Sequence, residues 1–161
     1  MKYFIITIIV VCIDQISKLS IKYYWYNNDI FYSHINILGS YLRFTFLENP
    51  GIAFGIDTSK YHLFITFLTI FVILFLFKYF FQVLNENSFE ILPLSLILGG
   101  AIGNAIDRVL VLFPSLNYNG VVDFIDIGIN KYRWYVFNFA DAFITIGLVI
   151  YLYKSFRFNK Q

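Results

Sequence analysis

Apolar residues fill four long stretches of the chain, and polar residues collect between them. The stretches cover about residues 3–24, 61–84, 91–113 and 137–153. Each is close to the roughly 20 residues that an α-helix needs to cross a hydrocarbon layer about 30 Å thick. The pattern predicts four transmembrane helices. Between the first two lies a polar, alternating stretch over about residues 27–58. Ile35 to Phe46 has the β-branched and aromatic content of strands, broken at Gly39-Ser40, and Asn49-Pro50-Gly51 marks a second turn. This region reads as a small sheet resting on the membrane surface. A second excursion on the same side, about residues 114–136, reads as a loop, whereas the link from Asn85 to Phe89 is short. The expected fold class is a membrane all-α bundle of four transmembrane helices with a small extracytoplasmic β-sheet subdomain, in one domain spanning residues 1–161.

Composition supports lipid as the solvent. Hydrophobic residues make up 59% of the 161 and charged residues 14%, against roughly 25% charged in an average soluble domain. The mean hydropathy is +0.69. A net charge of +2 without a basic stripe argues against nucleic acid as a partner. Cys12 is the only cysteine, which excludes an intrachain disulfide and a cysteine-ligated metal. His34 and His62 stand in unrelated surroundings, so no metal and no cofactor are expected. The first stretch resembles a secretory signal in having Lys2 before an apolar run. No small-x-small cleavage site follows, and the helical pattern continues through Asp14 and Lys18, so it reads as an uncleaved span. Val11 is too bulky for Cys12 to be a lipidation site. Lys154, Arg157 and Lys160 crowd the C-terminal end with no acid nearby. Although the large loops carry Arg43, Lys60, Lys131 and Arg133, the cluster close to a span weighs more, and both termini are expected in the cytoplasm. Tyr23, Tyr24, Trp25 and Trp134 read as anchors at the membrane interface.

Polar residues inside the spans carry the functional signal. An ionisable side chain at the centre of a membrane helix costs roughly 2.5–3.5 kcal/mol even on lenient insertion scales. In the first span Asp14, Ser17 and Lys18 share a face by their i, i+3, i+4 spacing; in the third, Gly100, Asn104, Asp107 and Arg108 do so. In the fourth, Asn138, Asp141, Ala142 and Thr145 form a similar stripe. Each stripe must turn inward to escape lipid. Four of the ten acids (Asp14, Asp107, Asp123 and Asp141) lie in or beside spans within polar motifs.

No histidine, cysteine or G-x-S-x-G elbow accompanies these stripes, which removes Ser-His and Cys-His chemistry. No Walker-type glycine loop occurs, which removes ATP-driven work. What remains is a pair of carboxylates, one from the second excursion and one from the outer end of the fourth helix. Two carboxyls held close cannot both ionise, so one keeps a proton while the other acts as base. Amide hydrolysis by a bound water needs that division. Asp107 is the rival member of such a pair, though its adjacency to Arg108 favours a structural role.

Five blocks then stand out in order: DQISK at 14–18, ENPGIAFG at 48–55, GGAIGNAIDRV at 99–109, GVVDF at 120–124 and FNFADAF at 137–143. Over nearly its whole length the chain resembles the lipoprotein signal peptidases (signal peptidase II). The resemblance implies a bacterial inner-membrane aspartyl endopeptidase. Its substrates would be prolipoproteins, cut just before a diacylglyceryl-modified cysteine in contact with membrane lipids. It implies Asp123 and Asp141 as the catalytic pair, with Asn49, Gly51, Asn104, Arg108, Asn138 and Ala142 supporting the site. Asp14, Lys18 and Asp107 are expected to be structural polar residues. One departure is the stretch VLVLFPSLNYNG at 109–120, longer than the family leads one to expect. It is expected to lengthen the surface loop before Asp123 and, with the Asn49 turn, to cover the site.

Simpler readings accompany these. Asp14 and Lys18 at i, i+4 are a neutralising pair, and Gly99, Gly100 and Gly103 let helices approach closely. Asn104 and Asn138 can bridge helices, Arg108 can satisfy Asp107, and Asp126 reads as a solvated loop charge. A proton-coupled transporter and a non-enzymatic assembly factor are the alternative classes. Four spans without repeat symmetry fit the first poorly, and the second needs no paired aspartates.

Overall fold

The computed structural model describes residues 2–28, 33–50, 59–86 and 89–158. Four helices dominate it: α1 (Lys2–Asn28), α2 (His62–Glu86), α3 (Ile91–Val111) and α4 (Phe139–Phe158). Each is long and apolar enough to cross a membrane. Two ends differ from the sequence reading in ways that matter for the site: α1 continues past Tyr24 to Asn28, and α4 begins at Phe139, which leaves Asn138 as its cap.

Helix α3 is the hub of the bundle, packing against α1, α2 and α4. Its glycines allow this. A side chain at Gly100 would collide with the Ala140 carbonyl of α4, and one at Gly103 with the Asp14 carboxylate of α1. Phe80, Val83, Ile91, Leu94 and Leu98 close the interface between α2 and α3. The outer faces of α1 and α2 expose Ile16, Leu19, Phe67, Phe71 and Phe75, as lipid-facing helices do.

At one end of the bundle lies an antiparallel sheet in the order β1 (His34–Leu38), β2 (Leu42–Asn49), β3 (Val121–Ile129), β4 (Tyr132–Arg133). The β1–β2 hairpin falls where the sequence predicts it, turning at Gly39 with φ +52, a left-handed conformation natural to glycine. The second excursion is a correction. After a 3₁₀ turn at Pro114–Leu116 it forms β3 and β4 rather than a loop. β3 pairs with β2 through Leu47↔Asp123, Glu48↔Val122 and Asn49↔Val121. The chain then returns along β3, where Ile125 N–H donates to Phe137 O at 2.7 Å and Phe137 N–H to Ile125 O at 3.0 Å. This return brings the start of α4 beside Asp123.

Two further expectations are corrected by the sheet. Asp126 is a strand residue, buried to 7% exposure. Burial demands partners: it accepts Arg133 Nε at 2.6 Å and the Thr45 hydroxyl at 3.3 Å. Trp25 is fully buried rather than an interface anchor. The last turn of α1 runs against the sheet, so its indole stacks on Phe46 of β2 with centroids 6.4 Å apart.

Candidate active site

The first turn of α4 organises the site. Asn138 Oδ1 accepts the Asp141 N–H at 2.9 Å, and Asp141 Oδ2 accepts the Asn138 N–H at 3.3 Å. This is a reciprocal capping box, which satisfies N–H groups that a helix start otherwise leaves unpaired. The intervening Ala140 N–H donates to Asp14 Oδ1 of α1 at 2.8 Å. With its oxygen committed to the cap, the wholly buried Asn138 turns its amide nitrogen inward. Nδ2 donates to Asp123 Oδ1 at 2.6 Å and also contacts Asn104 Oδ1 at 3.1 Å and Val122 O at 3.3 Å.

Asp123 extends from β3 and is 3% exposed. Its second oxygen, Oδ2, accepts Asn49 Nδ2 from the end of β2 at 3.0 Å. Burial pushes its carboxyl up to about 7, and the negative charge of Asp141 adds to that. The hydrogen bonds from Asn49 and Asn138 and the charge of Lys18 pull the other way. Asp141 Oδ1 receives Asn104 Nδ2 at 2.7 Å. The orientation of that amide is forced, because Lys18 Nζ (2.9 Å) and Asn138 Nδ2 both donate to Asn104 Oδ1. A lysine ammonium has no acceptor, so only the oxygen of Asn104 can face it.

Behind the two carboxyls sits an ion cluster. Lys18 lies 2.8 Å from Asp14 and 3.1 Å from Asp107, all at 2% exposure or less. Gln15 bridges it, donating to Asp14 at 3.2 Å and to Asp107 at 3.1 Å. Asp14 holds the N–H of Ala140, immediately before Asp141, and Asp107 Oδ2 holds the N–H of Val122, immediately before Asp123, at 3.0 Å. The expected Asp14–Lys18 pair is present within a larger unit. Asp107 is committed to that unit, which leaves it no place in an acid–base pair. Arg108 does not neutralise Asp107 by direct contact; its Nη1 donates to Asn104 O at 3.3 Å.

Asp123 and Asp141 open on a cavity of about 390 Å³ whose lining includes Asn49, Asn104 and Arg108. The connection from Trp134 to Phe137, together with Leu47 and Ile144, completes its wall. Sequence reasoning did not select that wall, although its run of aromatics just before the FNFAD block offered a signal. Residues 114–119 do not line this cavity; several of them border a neighbouring one with Glu48 and His62. Asn49 therefore stands at the site, and the stretch expected to cover it stands beside it. Ala142 donates its N–H to Asn138 O at 3.2 Å, and Thr145 lines the cavity. Gly51 lies outside the described residues.

Known proteins resemble this chain along nearly its whole length. A model of the family described as signal peptidase (SPase) II matches residues 6–157. A lipoprotein signal peptidase of Moorella thermoacetica is 35% identical over 152 residues, covering 93% of this chain and 89% of that protein. One from Borrelia hermsii is 38% identical over 163 residues, covering 95% and 89%. A bacterial membrane enzyme solved by the in meso method at 2.3 Å superposes with a TM-score of 0.79 at 31% identity, covering 97% of this chain and 88% of the other. Four candidate membrane helices, the sheet at their end and a match along nearly the whole chain lead to one conclusion: this protein belongs to the signal peptidase II family.

Proposed function

We propose that the chain removes signal peptides from prolipoproteins by cutting before a diacylglyceryl-modified cysteine, with Asp123 and Asp141 as its acid–base pair. The observation that carries this reading is that one residue, Asn138, holds both carboxyls beside one cavity: its side-chain amide donates to Asp123 and its backbone N–H to Asp141. Membership of an aspartic-type peptidase family sets aside the transporter and the assembly factor.

The chemistry follows from the proton balance. Asp123, whose carboxyl pKa is raised by burial, serves as the acid and Asp141 as the base. A water held between them loses a proton to Asp141 as its oxygen attacks the scissile carbonyl carbon. Collapse of the tetrahedral adduct breaks the C–N bond, and Asp123 protonates the departing cysteine nitrogen. The products are the signal peptide carboxylate and a lipidated protein with a free amine. Asn49, Asn104 and Asn138 keep the carboxyls in register, which is the positioning part of catalysis. Arg108 lines the same cavity, where its guanidinium can face a peptide carbonyl or an acidic lipid group.

The substrate enters as a membrane helix with its lipidated cysteine at the outer end, so the scissile bond sits at the surface where the sheet lies. Apolar grooves between the helices take the acyl chains. The basic residues Lys154 and Arg157 support a topology with both termini in the cytoplasm and the cavity near the extracytoplasmic face.

The test is a substrate comparison. Purified protein in detergent or lipid is given a synthetic prolipoprotein with and without the diacylglyceryl group. Cleavage of the modified substrate alone supports the reading. Equal cleavage of both would remove the lipid from recognition, and cleavage of neither would overturn the assignment.

A further inference from the structure

We propose that Glu48 is a positioning residue: clamped by Lys22 and Asn119, it holds the neighbouring Asn49 where its amide reaches Asp123. The inference rests on the reading of Asp123 as catalytic.

Strand geometry motivates it. β1 pairs with β2 at Leu42 to Thr45, so the end of β2 at Leu47, Glu48 and Asn49 has β3 as its sheet neighbour. The ladder is irregular between Phe44 and Leu47, and a strand end opens more readily than a strand centre paired on both sides. Side chains alternate along a strand. Leu47 and Asn49 face the cavity that holds Asp123, and Glu48 faces the other way.

On that far side the Glu48 carboxylate is held twice. Lys22 Nζ of α1 donates to Oε1 at 2.5 Å and Asn119 Nδ2 donates to Oε2 at 2.8 Å. Lys22 also donates to Asn117 O at 2.5 Å, with its ammonium 3.4 Å from the centre of the Tyr118 ring. The Lys22 and Glu48 side chains are only 13% and 9% exposed, so solvent screens the pair far less than a surface bridge. Gly120 completes the strap by lying against the Asn49 carbonyl, where any side chain would collide. Lys22, Glu48 and residues 117–120 thus fasten the Asn49 end of β2 from behind. The fastening draws Asn117, Asn119 and Gly120 of the stretch 109–120 against α1 and β2.

The experiment is a double-mutant cycle on the full-length protein, assayed with a diacylglyceryl-cysteine prolipoprotein. Glu48→Gln and Asn49→Ala should each lower kcat about ten-fold, the scale of one lost hydrogen bond to a charged or polar partner, with KM little changed. The double variant should be no worse than Asn49→Ala. The limb of the pH profile that reports Asp123 should move upward alike in all three, because the Asn49 bond holds its proton affinity down. The other charged groups acting on Asp123, namely Asp141 from α4, Arg108 from α3 and Lys18 from α1, are unchanged. If Glu48→Gln fails to fold, Asn119→Ala removes half the clamp and enters the same cycle. Losses that multiply to about a hundred-fold, or a clamp variant with wild-type kcat, would overturn the proposal. Asp123→Asn run alongside separates the two readings: turnover surviving in it overturns the acid–base pair itself, whereas turnover lost in it with additive clamp effects overturns only the clamp.

Discussion

Asn138 donates its side-chain amide to Asp123 at 2.6 Å from the capping position of the helix that carries Asp141. One residue therefore sets where α4 begins and where Asp123 points. Replacing it separates the two jobs. Asn138→Ala should lose the cap, about 1 kcal/mol, together with most activity. Asn138→Asp keeps a good cap but sets a third carboxylate against Asp123. It should retain more thermal stability than the alanine variant and be no more active. Thermal unfolding in detergent beside a cleavage assay checks both, and an active Asn138→Asp enzyme would contradict the role.

The proton on Asp123 has a stability consequence with a definite sign. Its carboxyl sits near 7 in the folded protein, against 3.8 in its ordinary state. The folded form therefore binds the proton more tightly, and stability falls as pH rises from about 4 to about 7. Asp123→Asn removes this penalty. It should raise the unfolding temperature at pH 8 while changing little at pH 4, and it should abolish turnover. In the wild type, activity should decline as pH rises through about 7, when the acid is lost. A variant no more stable at pH 8 than the wild type would show that burial does not strain Asp123.

The ion cluster predicts a rescue. Lys18→Met leaves Asp14 and Asp107 buried without a cation, and breaking a buried pair in this way costs roughly 3–5 kcal/mol. The triple change Asp14→Asn, Lys18→Met, Asp107→Asn removes every charge but keeps oxygens that can accept the Ala140 and Val122 N–H groups. It should unfold at a higher temperature than Lys18→Met alone. Comparing the two melting curves decides whether charge or hydrogen bonding to those two peptides dominates.

Close approach of α3 and α4 makes Gly100 intolerant. Even a methyl group there meets the Ala140 carbonyl, so Gly100→Ala should cost about 1–3 kcal/mol and displace Asp141 on the next residue. Lower melting temperature with reduced kcat is expected. An unchanged melting temperature would show that the helices can part without cost.

Much of this arrangement was legible in the sequence, because charge in lipid is expensive enough that Asp14, Lys18, Asn104, Asp107 and Asn138 had to share inward faces. The β1–β2 hairpin was legible from its alternation and from Gly39. β3 was not read, although Val121 to Ile129 is rich in β-branched residues: the turn formers Pro114, Asn117, Asn119 and Gly120 before it suggested a loop, and its partner β2 is far away in sequence. Asp126 and Trp25 were misplaced for the same reason, since Arg133 and Phe46 reach them only once the sheet forms. The Asn138-x-x-Asp141 capping box is a local pattern masked by the apolar run from Phe137, which hides the helix start inside the span.

The central claim is that Asp123 and Asp141 act together on one substrate bond. The most direct measurement is cleavage of a synthetic diacylglyceryl-cysteine prolipoprotein by wild type, Asp123→Asn and Asp141→Asn, each shown to be folded by its unfolding transition. The account predicts cleavage by the wild type and loss of at least a thousand-fold (roughly 4 kcal/mol of transition-state stabilisation) in both variants. Turnover surviving in either folded variant would contradict it.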